Sequence, residues 1–180
     1  MLRPAQLYKE QLEMEHINTW YKPEYIYYSG GTGDNIIELP EDCFNSHCFV
    51  SVDNDDNIIG YISYNVDYNA MSVNNLGIIN FKKNDRRNSV IFIHDVCKTI
   101  YDLFNVYHMN RLEWWCIADN PAINGYRSFI KRYGGREVGY YRQIAKLRDG
   151  RLHDSVTFEI MAAEFKNDLF KKRWINGTSC

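Results

Sequence analysis

Long hydrophobic runs are missing from this chain of 180 residues. Its start, Met1 to Glu15, is charged and amphipathic, and nothing reads as a signal peptide or a membrane-spanning stretch, so a cytoplasmic protein with no membrane partner is expected. An excess of one charge is missing too: 21 Lys and Arg stand against 23 Asp and Glu, a net charge of −2. Nucleic-acid binding wants a broad positive face, which this composition argues against. Cysteines are few and odd in number (Cys43, Cys48, Cys97, Cys116 and Cys180), and two fall in expected helix and strand interiors. Reduced thiols explain that better than a disulfide framework. Cys43, His47 and Cys48 lie close together but lack a fourth ligand and a zinc-site spacing, so no metal is expected. The glycine-rich Ser29-Gly30-Gly31-Thr32-Gly33-Asp34 lacks both the Lys-Ser/Thr ending and the preceding strand of a phosphate loop, and reads as a connector. Asn176-Gly177-Thr178 matches a glycosylation sequon but sits in a polar tail and carries no weight. Repeats, low-complexity segments and a nucleophilic triad are absent.

Aromatic residues, by contrast, are plentiful. The 14 Tyr and 4 Trp predict a well-filled core and an aromatic cleft. The length fits one domain over residues 1–180, with residues 1–45 as an N-terminal helical and aromatic segment and 166–180 as a polar tail. Pro4 to Trp20 reads as a helix, and Trp20 to Tyr28 is dense in aromatics that fit either core or one wall of a groove. Cys48–Val52 and Asn57–Val66 form a hairpin around Asp53 to Asp56, and a polar turn near Asp67 to Asn75 leads to a third strand, which makes an antiparallel meander.

The chain is organised around Leu76 to Ala118. This stretch reads as a strand (Leu76–Phe81), a basic loop (Lys82 to Ser89), a long helix and a second strand (Leu112–Ile117). Asn88 or Ser89 is the expected N-cap. Val90, Ile93, Cys97, Ile100 and Phe104 recur at three- and four-residue steps and predict one buried face. Strands joined by such a helix lie parallel. Lys82, Lys83, Arg86 and Arg87 beside a helix start leave two readings open, a solvated basic turn or a phosphate site. Beyond it, Asp119 or Asn120 caps a helix with Pro121 at its first position, Ala122 to Tyr133 as its body and Gly134-Gly135 as its stop. Val138–Leu147 and His153–Met161 form a hairpin around Asp149-Gly150, and Ala162 to Trp174 is a terminal helix expected to fray.

Two segments resemble the GNAT superfamily of N-acetyltransferases. One is Asn120-Pro121-Ala122 with Tyr126 and the closing Gly134-Gly135-Arg136-Glu137-Val138-Gly139; the other, Leu147-Arg148-Asp149-Gly150-Arg151-Leu152-His153-Asp154-Ser155 through Glu164-Phe165, is similar to the final hairpin of the ribosomal-protein-acetyltransferase-like branch. The resemblance implies an α/β (α+β) fold with a mixed central sheet: an antiparallel meander joined to a parallel strand–helix–strand crossover, with helices on both faces. It implies transfer of an acetyl group from acetyl-CoA, the cosubstrate, to the primary amine of a small molecule or peptide by direct attack in a ternary complex, and it allows a homodimer. Tyr126 would donate a proton to the sulfur. Ile79, Asn80 and Phe81 would offer main-chain groups to the pantetheine arm, Arg86, Arg87, Asn88, Ser89 and Val90 would cradle the pyrophosphate, and Asn120 would contact the arm or orient the cleft. Glu113, Asp119 and His153 are base candidates by residue type only. The family's coenzyme loop reads Gln/Arg-x-x-Gly-x-Gly/Ala, whereas this chain has Ser89 and Ile91 at the glycine positions. That departure motivates an alternative, an acyl-CoA-binding or regulatory module without turnover.

Overall fold

The computed structural model describes residues 1–28, 37–41 and 43–176. The glycine-rich connector from Ser29 to Asp34 lies outside the described residues, as do Cys180 and most of the sequon. Strands β1 (Leu2–Pro4), β2 (Ser46–Val52), β3 (Ile58–Asp67), β4 (Ser72–Asn80), β5 (Arg111–Ile117), β6 (Arg136–Lys146) and β7 (Leu152–Met161) form one sheet in the order β1-β2-β3-β4-β5-β7-β6. The β2-β3-β4 meander is antiparallel, β4 pairs with β5 in parallel, and β5, β7 and β6 are antiparallel again. This is the expected mixed sheet, with the helix α2 (Arg86–Asn105) joining its two parallel strands.

The first twenty residues depart from the expected single helix. Leu2–Pro4 adds a short strand to the edge of β2, Ala5–Tyr8 is a 3-10 turn, and only Lys9–Ile17 is α-helical (α1). Pro4 has no N–H to give a longer ladder, which is why the strand is so brief. The inward face of α1 is Leu12 and His16, one turn apart, while Leu7 is largely exposed.

α2 starts four residues earlier than the sequence predicts. Its N-cap is Asp85, whose carboxylate accepts from the Arg87 and Asn88 amides at 2.9 and 3.2 Å. Asn88 and Ser89 therefore lie inside the first turn, a correction with a plain cause: Asp is as good a cap as Asn or Ser and comes first. The buried face also shifts. Cys97, Ile100 and Phe104 are buried as expected, but Val90 and Ile93 are exposed, and Phe92, Asp95, Thr99 and Leu103 complete the face. Phe92 packs directly over Gly60 of β3, where a Cβ would lie 2.2 Å from its ring, so only glycine fits beneath it.

α2, α3 (Ile123–Tyr133) and α4 (Asn167–Trp174) share a core with Leu112, Trp114, Val156, Phe158 and Ile160. α1 and the aromatic segment after it cover the other face, over Val50, Val52, Tyr61 and Ile79. α4 is better anchored than a fraying helix: Phe170 is fully buried against Phe129, Tyr133 and Phe165, and Trp174 donates its ring N–H to the Tyr133 hydroxyl at 2.9 Å. Among the described residues no helix is long and apolar enough to cross a membrane.

Candidate active site

β4 and β5 are paired only at Ser72 with Arg111 and Val73 with Leu112. Beyond those pairs β5 continues with β7 and β4 with β3, so the two parallel strands part. The β5-facing main chain of β4 beyond Val73 is left without a strand partner. In the same stretch β4 carries one residue more than β3: Ser63 pairs with Gly77 and Asn65 with Asn74, and Asn75 turns to φ +54°. A bulge of this kind interrupts the ladder and re-aims backbone groups.

The gap opens into two cavities. One, of about 470 Å³, lies toward α1 and is lined by His16, Tyr27, Tyr28, Tyr61, the β4 residues Asn75 to Ile79, the β5 residues Trp115 to Ile117, Asn120 and Tyr126. The other, of about 360 Å³, is apolar and lies toward α2 and α3, with Ile93, Val96, Gly125 and Phe129 in its wall. Tyr28, Leu76, Ile78 and Tyr126 line both. The cavities therefore approach one another through the breach between the strands, with Tyr126 at the junction. Burial pushes the Tyr126 phenol well above its ordinary pKa, so it stays protonated. Its ring packs against Trp114 and Phe158. Cys116 lies beside it, its thiol pushed up to about 11 by burial.

Asn120 lines the larger cavity and also accepts from the Ala122 amide at 3.0 Å, capping the turn that leads into α3. The regular helix starts at Ile123, so Pro121 sits in that turn and not at the first helical position. Gly134, at φ +104°, ends α3 where glutamate backbone closes in: a Cβ there would lie 2.1 Å from the Glu164 carbonyl oxygen.

The other predicted residues scatter. Ile79 lines the larger cavity. The Asn80 and Phe81 carbonyls both accept from the Tyr25 hydroxyl, at 3.0 and 3.1 Å, and the Phe81 amide donates to the Ile59 carbonyl. Asn80 uses its side chain to hold Ser89 and the Lys82 amide, tying the loop to the helix. Two of the four loop cations are engaged: Lys82 pairs with Glu15 at 2.9 Å, and Lys83 donates to the Glu24 carbonyl at 2.6 Å while lying over the Tyr25 ring. Arg86 and Arg87 are exposed at the helix start and form no close ion pair with a described carboxylate, although the Arg87 charge helps lower the pKa of Asp53. Val90 lies one turn on and is exposed.

The base candidates lie elsewhere. Glu113 pairs with Arg111 at the opposite end of β5. His153 is held between Asp119 at 2.9 Å and Asp149 at 3.0 Å, and these two carboxylates raise its pKa. None of the three lines either cavity. The histidine that does is His16, only 4% exposed, with a buried Nδ1 that has no hydrogen-bond partner among the described residues. Burial, seconded by Arg148, lowers its pKa, so the ring is neutral near pH 7. One histidine on a short helix of mixed polarity gives no signal in the sequence.

No protein-family model matches the chain, and no curated protein sequence does. Solved structures do. The spermidine N-acetyltransferase of Vibrio cholerae in complex with CoA and spermine aligns over 91% of this chain and 96% of its own, with 16% identity and a TM-score of 0.66. This is the GNAT fold. A second structure, a spermidine/spermine N-acetyltransferase from the same organism, aligns over 67% of this chain and 68% of its own at 19% identity and a TM-score of 0.55. A probable acetyltransferase covers 66% of this chain and 63% of its own at 22% identity and 0.52. At such identities the likeness is one of fold. It reaches the GNAT architecture but does not single out the ribosomal-protein-acetyltransferase-like branch.

Proposed function

We propose that the protein is an N-acetyltransferase that moves an acetyl group from acetyl-CoA to a primary amine. The observation that carries this reading is the breach between β4 and β5, with unpaired β4 main chain on one side and a protonated Tyr126 at its centre. The pantetheine arm of acetyl-CoA carries two amides, and an extended chain with amides adds naturally to an open strand edge. The free edge runs from Asn74 to Ile79, since Asn80 and Phe81 are bonded to Tyr25. The thioester supplies an activated acetyl group, and the chain's own groups do the rest. The main chain at Asn75 and Leu76, which the bulge leaves outside the ladder pairs, is suited to stabilise charge on the thioester oxygen. Tyr126 is suited to protonate the departing sulfur. That helps only modestly, because a thiol of pKa about 8.5 already leaves well. Holding amine and thioester together accounts for most of the acceleration.

The pyrophosphate end fits less well. Arg86 and Arg87 can meet phosphate, and the Lys83, Asn84 and Arg86 amides donate to no other described residue. The Asp85 carboxylate, however, already holds two amides of the helix start and adds a negative charge where an anion would sit. This lowers the affinity expected for acetyl-CoA; the second reading, a binding or regulatory module of the same fold without turnover, rests on Ser89 and Ile91 at the glycine positions of the coenzyme loop. Acceptors of two kinds are supported: a polyamine, by the spermine-bound neighbour, and a peptide N-terminus, by the final hairpin's resemblance to the ribosomal-protein branch.

The test is a melting curve with acetyl-CoA, followed by turnover assays with spermidine, 2-phenylethylamine and a short peptide. Acetyl-CoA at one hundred times its dissociation constant should stabilise by about 2.7 kcal/mol. Replacing Arg86 and Arg87 together by Ala should weaken binding, most strongly at low salt. No shift and no turnover would discard the transferase reading; a shift without turnover on any acceptor would favour the binding module.

A further inference from the structure

We propose that His16 is the catalytic residue that takes the proton from the amine in this cleft, an assignment that rests on the transferase reading above. The amine arrives as an ammonium ion at neutral pH and cannot attack until it loses a proton. Glu113, Asp119 and His153 are each bound to partners away from the cavity. His16 reaches it from α1, and Tyr126 lines the same cavity.

Three observations converge on this ring. It is nine-tenths buried yet lines the larger cavity. Its Nδ1 is buried with no hydrogen-bond partner among the described residues, an arrangement that costs stability and that a purely structural histidine would avoid. Its Nε2 hydrogen-bonds to no described residue and, unlike Nδ1, is not among the buried unpartnered atoms, so it is the nitrogen assigned to the cavity side. The ring is held edge-on to Trp20 at 87°, centroids 6.4 Å apart. Trp20 is in turn fixed by Arg148, which donates to its carbonyl from the β6–β7 turn.

The charged group facing His16 is Arg148, which disfavours the protonated ring at rest. The other titratable groups around the cavity are Tyr27, Tyr28 and Tyr61, Cys116 and Tyr126. Burial raises Tyr28, Tyr61 and Tyr126 and holds the Cys116 thiol at about 11. His16 is thus the group in the cavity wall suited to accept a proton near neutrality. In the proposed sequence its Nε2 takes one proton from the ammonium. The free amine then forms the N–C bond to the acetyl carbon, the C–S bond breaks, and the sulfur takes a proton from Tyr126. The phenolate recovers a proton from the new amide nitrogen, and the imidazolium returns its own to water.

The test compares wild type with His16→Gln and His16→Ala, using acetyl-CoA with spermidine, 2-phenylethylamine and the peptide. In His16→Gln, kcat should fall by about 10²-fold with acetyl-CoA binding unchanged, and the acid limb of kcat/KM against pH should flatten. Added imidazole should restore part of the rate of His16→Ala. A His16→Gln variant with wild-type kcat and an unaltered pH profile would overturn the assignment while leaving the transferase reading intact. If wild type neither binds acetyl-CoA nor turns over, the transferase reading falls and takes this one with it. Should the variants not fold, titrating the wild-type His16 ring by NMR decides the matter: a pKa on the acid limb supports the role, and a ring neutral throughout that limb overturns it.

Discussion

Tyr126 sits where two cavities approach each other through the sheet, and its chemistry there is that of a donor only, because burial keeps the phenol protonated. Tyr126→Phe removes the proton and little else. Its expected effect is a fall in kcat of about 10-fold, at the low end of acid catalysis because the leaving thiolate is stable, with acetyl-CoA affinity held. Steady-state kinetics and calorimetry on the variant check both halves. His153 makes a different residue-scale prediction. Asp119 and Asp149 raise its folded-state pKa above the usual value of about 6.5, so its protonated form is the one that stabilises the fold. That contribution is complete below about 6.5 and is lost as pH rises through the raised pKa. His153→Gln should therefore cost most in mildly acidic buffer and least in alkaline buffer, read from urea midpoints at several pH values. The opposite pattern would mean that the histidine is not the cation in that cluster.

At the scale of the element, α2 is governed by Asp85. Asp85→Ala should cost about 0.5–2 kcal/mol through loss of the cap. Asp85→Asn keeps a capping oxygen but removes the negative charge from the helix start. It should retain stability and tighten acetyl-CoA, more so at low salt, where the carboxylate's repulsion is least screened. Equal affinities for wild type and Asp85→Asn would show that the phosphates do not sit at this end of the helix. α4 makes a stability prediction of its own. Phe170 has no exposed surface and touches three aromatic rings, so Phe170→Ala should cost about 3–5 kcal/mol by thermal or urea unfolding. A helix that merely frayed would lose almost nothing.

Over the whole molecule, what could be read from the sequence and what could not divide along distance in the chain. The strand–basic loop–helix–strand order, the parallel sense of its strands, the meander, the closing hairpin and a tyrosine on the following helix were legible in the amino-acid sequence. Each depends on neighbours a few residues apart: alternation, three- and four-residue spacing, turn glycines. The start of α2 is not legible in this way, because Asp85, Asn88 and Ser89 are all competent caps and only the folded loop chooses among them. The site's electrostatics were not legible at all. Lys82 is neutralised by Glu15, 67 residues away, and Lys83 is spent on the Glu24 carbonyl and the Tyr25 ring, so a loop of four cations keeps two at the helix start. Likewise nothing local marks His16, whose only covered helix neighbour of note is Leu12; its place in the cavity wall exists because α1 packs over β3, and the cavity it lines reaches from there to β4 and β5. The sequence by itself determined the elements and their order, because those follow from short-range patterning. Which charges remain free, and which histidine meets the cleft, was decided by tertiary packing, because pairing and desolvation act between groups that only folding brings together.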